Sequence, residues 1–364
     1  MPDAAGSGGA AAGGPSPNIG WDHGTAYDLF ASLYVIHLPA DFGLRPSWAA
    51  GIRSRLSSES RDLFSVTAHH LNIPAAWLFG LPQPKPARAV LDALDAMPPG
   101  KILPVLYSHP GAPESCDLVV QKVLAEGRWN DADVEAFRAC REPGHGAKPA
   151  GDAGLAARWL DCWANPERFG AAYRRGLREY YEVFFREEER RILPDVERSL
   201  ARAQELAARV PAAELFETLS RGIRVEYHLK QRELVLVPCW WCSPRILYTS
   251  LEPGREVVLF GARPAEASLV PGDSVPGELL LALEALSDPT RLAILQALVE
   301  APLTQADIAR RLRLRPPTIS HHLKSLRIAG LIAYIGEGSG ETRYGVRTAQ
   351  IAMTCSQLKA YLKA

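Results

Sequence analysis

Cysteine is scarce in this chain of 364 residues: six, scattered at 116, 140, 162, 239, 242 and 355. So few in so long a chain make no disulfide framework necessary. No run of 18 or more apolar residues occurs, so nothing reads as a membrane span. The opening MPDAAGSGGAAAGGPSP has no basic segment followed by an apolar run, and so does not read as a signal peptide. Its Gly/Ala/Ser/Pro composition reads as a disordered tail over residues 1–18. The expected compartment is therefore the cytoplasm. Net charge is missing too: 41 Lys+Arg balance 41 Asp+Glu, and nothing global points to nucleic acid. There is no G-x-G-x-x-G, Walker loop, G-x-S-x-G or H-E-x-x-H, so no catalytic residue and no cofactor is assigned, and an enzyme is the weaker reading.

What is present is ordinary globular material, 47% hydrophobic and 23% charged, long enough for roughly two domains. YDLFASLYVIHL, PSWAAGIRSRL, ESRDLFSVTAHHL and PARAVLDALDAM read as helices. Residues 166–210 form a long helical stretch, expected to kink or break at Pro194. The texture then changes. RVEYH, ELVLVPCWWC, RILYTS and REVVLFGA are short, rich in Val, Leu and aromatics, and bounded by Pro, Gly and Ser, as in strands of a small antiparallel sheet. Residues 261–277 read as a linker. The expected fold is mostly α with a small antiparallel β portion, an α+β protein. The expected domains are 19–260, helical plus small sheet for effector binding or dimerisation, and 278–364.

Charge is unevenly spread. Residues 278–364 carry 11 Lys+Arg and 7 Asp+Glu, and residues 304–328 carry six basic residues and one acid. A local basic patch on a neutral protein points to a polyanionic partner. In ALSDPTRLAILQALVE, Asp288 is placed to cap a helix and Pro289 sits where a missing N–H costs nothing. In LTQADIARRL, Thr304 is an N-cap with Asp307 three residues on, a capping box with Asp for Glu. A third helix starts at Pro316 or Pro317 and ends at Gly330. Two short helices around a tight turn make a helix-turn-helix.

The stretch LRLRPPTISHHLKSLRIAGLI sets its own orientation. At about 100° per residue, Ile319, Leu323 and Leu326 fall within about 60° of one another and form the buried stripe. His321 and Lys324 lie roughly opposite. Thr318 and His322 border one side of that outer face, Ser320 and Arg327 the other. Such a face, polar and basic at the N-terminal end of the helix, suits the major groove: Ser, Thr and His meet base edges and Lys or Arg meets phosphates. A metal site at His321 and His322 does not fit, because adjacent helical residues point apart and no Cys or acid joins them. LIAYIGEGSGETRYGV reads as a hairpin wing over 331–346 that presents Arg343 to a phosphate or the minor groove. The last helix carries Ile351, Leu358 and Leu362, placed to pair with a partner subunit.

Together, ALSDPTRLAILQAL, TQADIARRLRLRPPTISHHLKSLRIAGLI and GETRYGV resemble the winged-helix domain of ArsR-type bacterial repressors. The resemblance covers about 75 of 364 residues. It implies a homodimer on a pseudo-palindromic double-stranded operator, repressing until an effector binds. The candidate DNA contacts are Thr304, Gln305, Arg315, Pro317, Thr318, Ser320, His321, His322, Lys324 and Arg343. Two departures stand out. The family often caps the recognition helix with Ser where this chain has Arg315, which exchanges a cap for a phosphate contact. The metal-sensing members carry Cys-x-Cys on the first helix of the pair, whereas TQADIARRL has no Cys, which argues against arsenic or cadmium sensing of that kind.

The N-terminal part offers less. Cys239-x-x-Cys242 in PCWWCSPR suits a redox pair or half a zinc site, but no second pair stands at zinc-finger spacing and an aromatic core explains it equally. Trp240 and Trp241 are candidate lining of an effector pocket. The alternatives to a ligand-responsive regulator are an enzyme, or a cysteine-based redox or metal sensor, fused to the DNA-binding domain.

Overall fold

A computed structural model of the protein describes residues 16–107, 114–140, 153–268, 270, 275–336 and 342–363. Most of the expected tail, residues 1–15, lies outside them. Asn18 is already paired in a strand, so order begins before the expected boundary at 19.

The eight strands among the described residues are β1 (Asn18–Trp21), β2 (Ile223–Val225), β3 (Glu233–Cys239), β4 (Leu247–Glu252), β5 (Arg255–Gly261), β6 (Leu303–Thr304), β7 (Ile332–Gly336) and β8 (Thr342–Val346). They form two sheets of order β1-β3-β5-β4 and β2-β7-β8-β6. The class is α+β as expected, but the first sheet is mixed rather than antiparallel. β1 and β5 both run parallel to β3, and only β4 is antiparallel to its neighbour β5. The physical reason is visible in the strands. ELVLVPC and REVVLFG are nearly unbroken apolar runs, the mark of strands covered on both faces. Val235, Val237, Val257 and Leu259 face the helices, while Leu234, Leu236, Val258 and Phe260 pack on Ala203, Leu215 and Phe216. RVEYH also departs from expectation. Only its start is strand, and β2 joins the other sheet, parallel to β7.

The helix α1 (Thr25–His37) is apolar on nearly every side and is buried accordingly. α2 (Pro166–Tyr180) runs through a π-helical turn, Tyr181–Phe185, into α3 (Arg186–Ala207). The irregularity is therefore at 181–185 and not at Pro194, which lies inside α3. The π turn absorbs an extra residue and leaves Tyr181, Phe184 and Phe185 all buried. Cys116 and Cys140 form a disulfide that the sequence did not call for.

The C-terminal part contains α4 (Gly277–Leu286), α5 (Pro289–Glu300), α6 (Gln305–Leu312), α7 (Pro316–Ile328) and α8 (Thr348–Leu362), around a hydrophobic cluster of its own. Ile351, expected to face a partner, packs on that cluster, whereas Leu362 is exposed. The two parts are joined by more than a linker. β2 extends the sheet of β7 and β8, Arg221 pairs with Glu278 at 2.6 Å, and Lys324 pairs with Asp41.

Candidate nucleic-acid interface

The helix pair is built by local rules. Asp288 accepts a hydrogen bond from the Arg291 N–H at 2.9 Å and caps α5, with Pro289 at its first position. Thr304 caps α6: its Oγ1 accepts from the Asp307 N–H at 3.1 Å, and the Asp307 carboxylate accepts from the Thr304 N–H and hydroxyl. Those donors hold the Asp307 carboxyl below the ordinary carboxylate range, the hydroxyl of Thr304 first among them. α6 ends on Arg313 in the left-handed region at φ 54°, and α7 begins on Pro316 and Pro317. Ile319, Leu323 and Leu326 are buried at 0%, 2% and 0% exposure, each stabilising the domain by about 1.5–3 kcal/mol. That stripe fixes the rotation of α7.

Arg315, Pro317, Thr318, Ser320 and His321 are all exposed, side by side at the start of α7. No side-chain cap closes the helix at Arg315: Pro316 and Pro317 carry no N–H, and the N–H groups of Thr318 and Ile319 both donate to the Arg315 carbonyl, at 3.0 and 3.2 Å. Gln305 braces this end by donating from Nε2 to the Pro316 carbonyl at 3.0 Å. Arg343 lies on β8, partly exposed, its Nη1 3.5 Å from the Pro302 carbonyl. Residues 337–341, the tip of the expected wing, lie outside the described residues.

Five of the expected site residues sit differently. Thr304 spends its hydroxyl on the cap of α6. His322 turns inward, with a side chain only 14% exposed and Nδ1 3.8 Å from the Asp288 carboxylate. It borders the buried stripe, beside the residue that caps α5. Lys324 is held by Asp41, a residue from the far end of the sequence, with Arg245 3.7 Å from the same carboxylate. No local pattern around Asp41 announces that contact. Its nearest sequence signal is a lone acid in the turn ADFG. Trp240 and Trp241 are fully buried and line no described cavity. Trp241 stacks on Trp48, while Arg191 lies over Trp240 at 4.3 Å.

Cys239, the last residue of β3, and Cys242, on the turn that follows, are buried as well. The Cys239 thiol donates to Asp28 Oδ1 at 3.3 Å, and burial holds it well above the ordinary thiol range. A thiol kept protonated in a closed core is a poor nucleophile and a poor ligand. Asp28 itself, accepting from the Trp241 N–H at 2.9 Å, is pushed up to about 7 by burial.

The capped helix pair, its buried stripe, the polar start of α7 and the β7–β8 hairpin define a winged helix-turn-helix domain. Residues 288–334 match the model of the bacterial regulatory protein arsR family, and this segment is an ArsR-family helix-turn-helix domain. The transcriptional repressor SdpR of Bacillus subtilis (strain 168) is 44% identical over 50 residues, which is 14% of this chain and 56% of the relative. The chain thus spans about half the length of that relative. An ArsR-like transcriptional regulator from Rhodococcus sp. RHA1 is 34% identical over 23% of this chain and 77% of that one, with a TM-score of 0.22. HlyU from Vibrio cholerae N16961 is 28% identical over 23% of this chain and 92% of that one, with a TM-score of 0.20. No helix among the described residues is long and apolar enough to cross a membrane.

Proposed function

We propose that this protein is a sequence-specific, DNA-binding transcriptional repressor that works as a homodimer on a pseudo-palindromic operator in the cytoplasm. An effector acting through the N-terminal part controls it. The observation that carries the reading is the start of α7. Thr318, Ser320 and His321 stand exposed together on a helix whose other face is locked into the core by Ile319, Leu323 and Leu326. A helix held rigidly by one stripe and bare at its N-terminal end is the element that enters a major groove. Arg315 and Arg343 flank it as phosphate ligands, which position the helix without reading sequence. Dimerisation doubles the site and raises effective concentration on the second half-site.

The test is to bind the purified chain to a pool of random duplexes and sequence what it retains. A repeated, inverted motif with half-sites about one helical turn apart supports the reading. Retention of all sequences alike, or of none, would overturn it.

A further inference from the structure

Between the two parts of the chain lies a cavity of about 180 Å³. Its walls come from both sides. Arg221 and Pro244 belong to the N-terminal part and Arg263 to the segment that follows β5; Glu278, Ile328, Gly330 and Arg347 belong to the C-terminal part. Three guanidinium groups therefore meet one carboxylate. Burial lowers the Arg263 guanidinium to about 10, against the raising charge of Glu278 and with that of Arg221, and burial followed by the charge of Arg221 lowers Arg347. Glu278 is committed to Arg221 at 2.6 Å, and Arg347 donates from Nη1 to the Gly330 carbonyl at 2.9 Å. Arg263 has no such partner. It is 4% exposed, and its Nε and Nη1 find no acceptor among the described residues. A buried guanidinium with unused donors is costly unless an anion meets it. The backbone is shaped for this crowding. Arg221 itself sits at φ 60°, and Gly222 follows at φ 97°, where a Cβ would stand 2.8 Å from the side chain of Arg347. Side chains rarely occupy such conformations, and they concentrate where a site demands them.

We infer that this cavity binds a small dianion, a dicarboxylate or a phosphate monoester, between the three arginines. Three positive charges against one negative leave two to be matched, and the planar fork of Arg suits both head groups. The volume suits a ligand of benzene's size or somewhat larger. Leu281, Ile328 and Met353 offer apolar contact for its short body. Ile328 ends α7 and Gly330 follows it, so the ligand touches the C-terminal end of the helix whose other end is proposed to read DNA. On that reading, a ligand bridging both parts holds them docked, with Lys324 turned to Asp41, and acts as an inducer.

The experiment is calorimetric titration of the full chain with inorganic phosphate and, separately, with succinate, using chloride at matched ionic strength as the control. Saturable one-site binding is expected for at least one dianion, and which one assigns the head group. Arg347→Gln and Arg263→Met should each weaken it by about tenfold or more. Glu278→Gln, which removes the competing carboxylate, should tighten it by about threefold or more, a gain that damage to the fold would not produce. Folding of each variant is checked by its thermal transition. If Arg263→Met fails to fold, Arg347→Gln and Glu278→Gln decide. Absence of saturable heat with both dianions, or affinities indifferent to these substitutions, overturns the inference. Because no DNA is involved, failure here is distinct from failure of the repressor reading.

Discussion

The two ends of α7 live in different surroundings. At its start, Thr318, Ser320 and His321 are bare. One turn later Lys324 is held by Asp41, and at the end Ile328 and Ala329 line the cavity shared with the N-terminal part. The same helix is free where sequence would be read and held where the rest of the protein can reach it. Neither end alone makes a regulator. Specificity needs the free end, and control needs the held one, since an effector changes DNA affinity only if it meets the two arrangements unequally.

The severest way to break this comparison is to loosen the stripe that serves both ends. Leu323→Ala should cost about 2–5 kcal/mol of stability and abolish DNA binding and dianion binding together. Calorimetric unfolding alongside both binding assays checks it, and loss of one activity alone would separate what the stripe is held to join. His321→Ala should strike the free end only. It should cost about 1–3 kcal/mol at one operator position per half-site and leave dianion affinity unchanged. Identical motifs selected by variant and parent would place the base contact elsewhere. Thr304→Ala should cost about 0.5–2 kcal/mol through the lost cap of α6, with base preference intact. A changed motif would show that Thr304 also contacts bases. Arg343→Ala should weaken binding to all sequences alike and reduce the salt slope by about one. An unchanged slope would remove Arg343 from the phosphate contacts.

How far the sequence foretells the molecule follows from the range of the interactions. Caps and periodicity are local. Asp288, Thr304, Asp307 and the stripe Ile319, Leu323, Leu326 stand where spacing alone puts them. The mixed sheet escapes a local reading because apolar runs such as ELVLVPC say that a strand is covered, not in which direction its neighbour runs. β2 escapes because three residues, Ile223 to Val225, take their partner from β7, more than a hundred positions away. Trp240 and Trp241 look like pocket lining in a list of aromatics, but the sheet turns them into the core. The interdomain arginines carry no motif at all. Arg221, Arg263 and Arg347 become a group only when the two parts meet.

The smallest expected effect is the sharpest probe of the held end. Lys324 and Asp41 form an ion pair whose side chains are 44% and 31% exposed, so its worth is modest, about 0.2–1 kcal/mol. Lys324 cannot serve Asp41 and a phosphate at once. Asp41→Asn should therefore release it and tighten binding to all DNA sequences by roughly threefold or less. Lys324→Ala should weaken binding to all sequences and lower the salt slope by about one unit. The double variant carries the decision. If Asp41 acts only through Lys324, adding Asp41→Asn to Lys324→Ala changes nothing further, and the cycle closes on a coupling equal to the effect of Asp41→Asn alone. If Asp41→Asn tightens binding just as much without Lys324, the acid acts by general repulsion of the DNA. If it weakens binding instead, the docked arrangement is the one that binds DNA, and the roles given to the two ends of α7 must be exchanged.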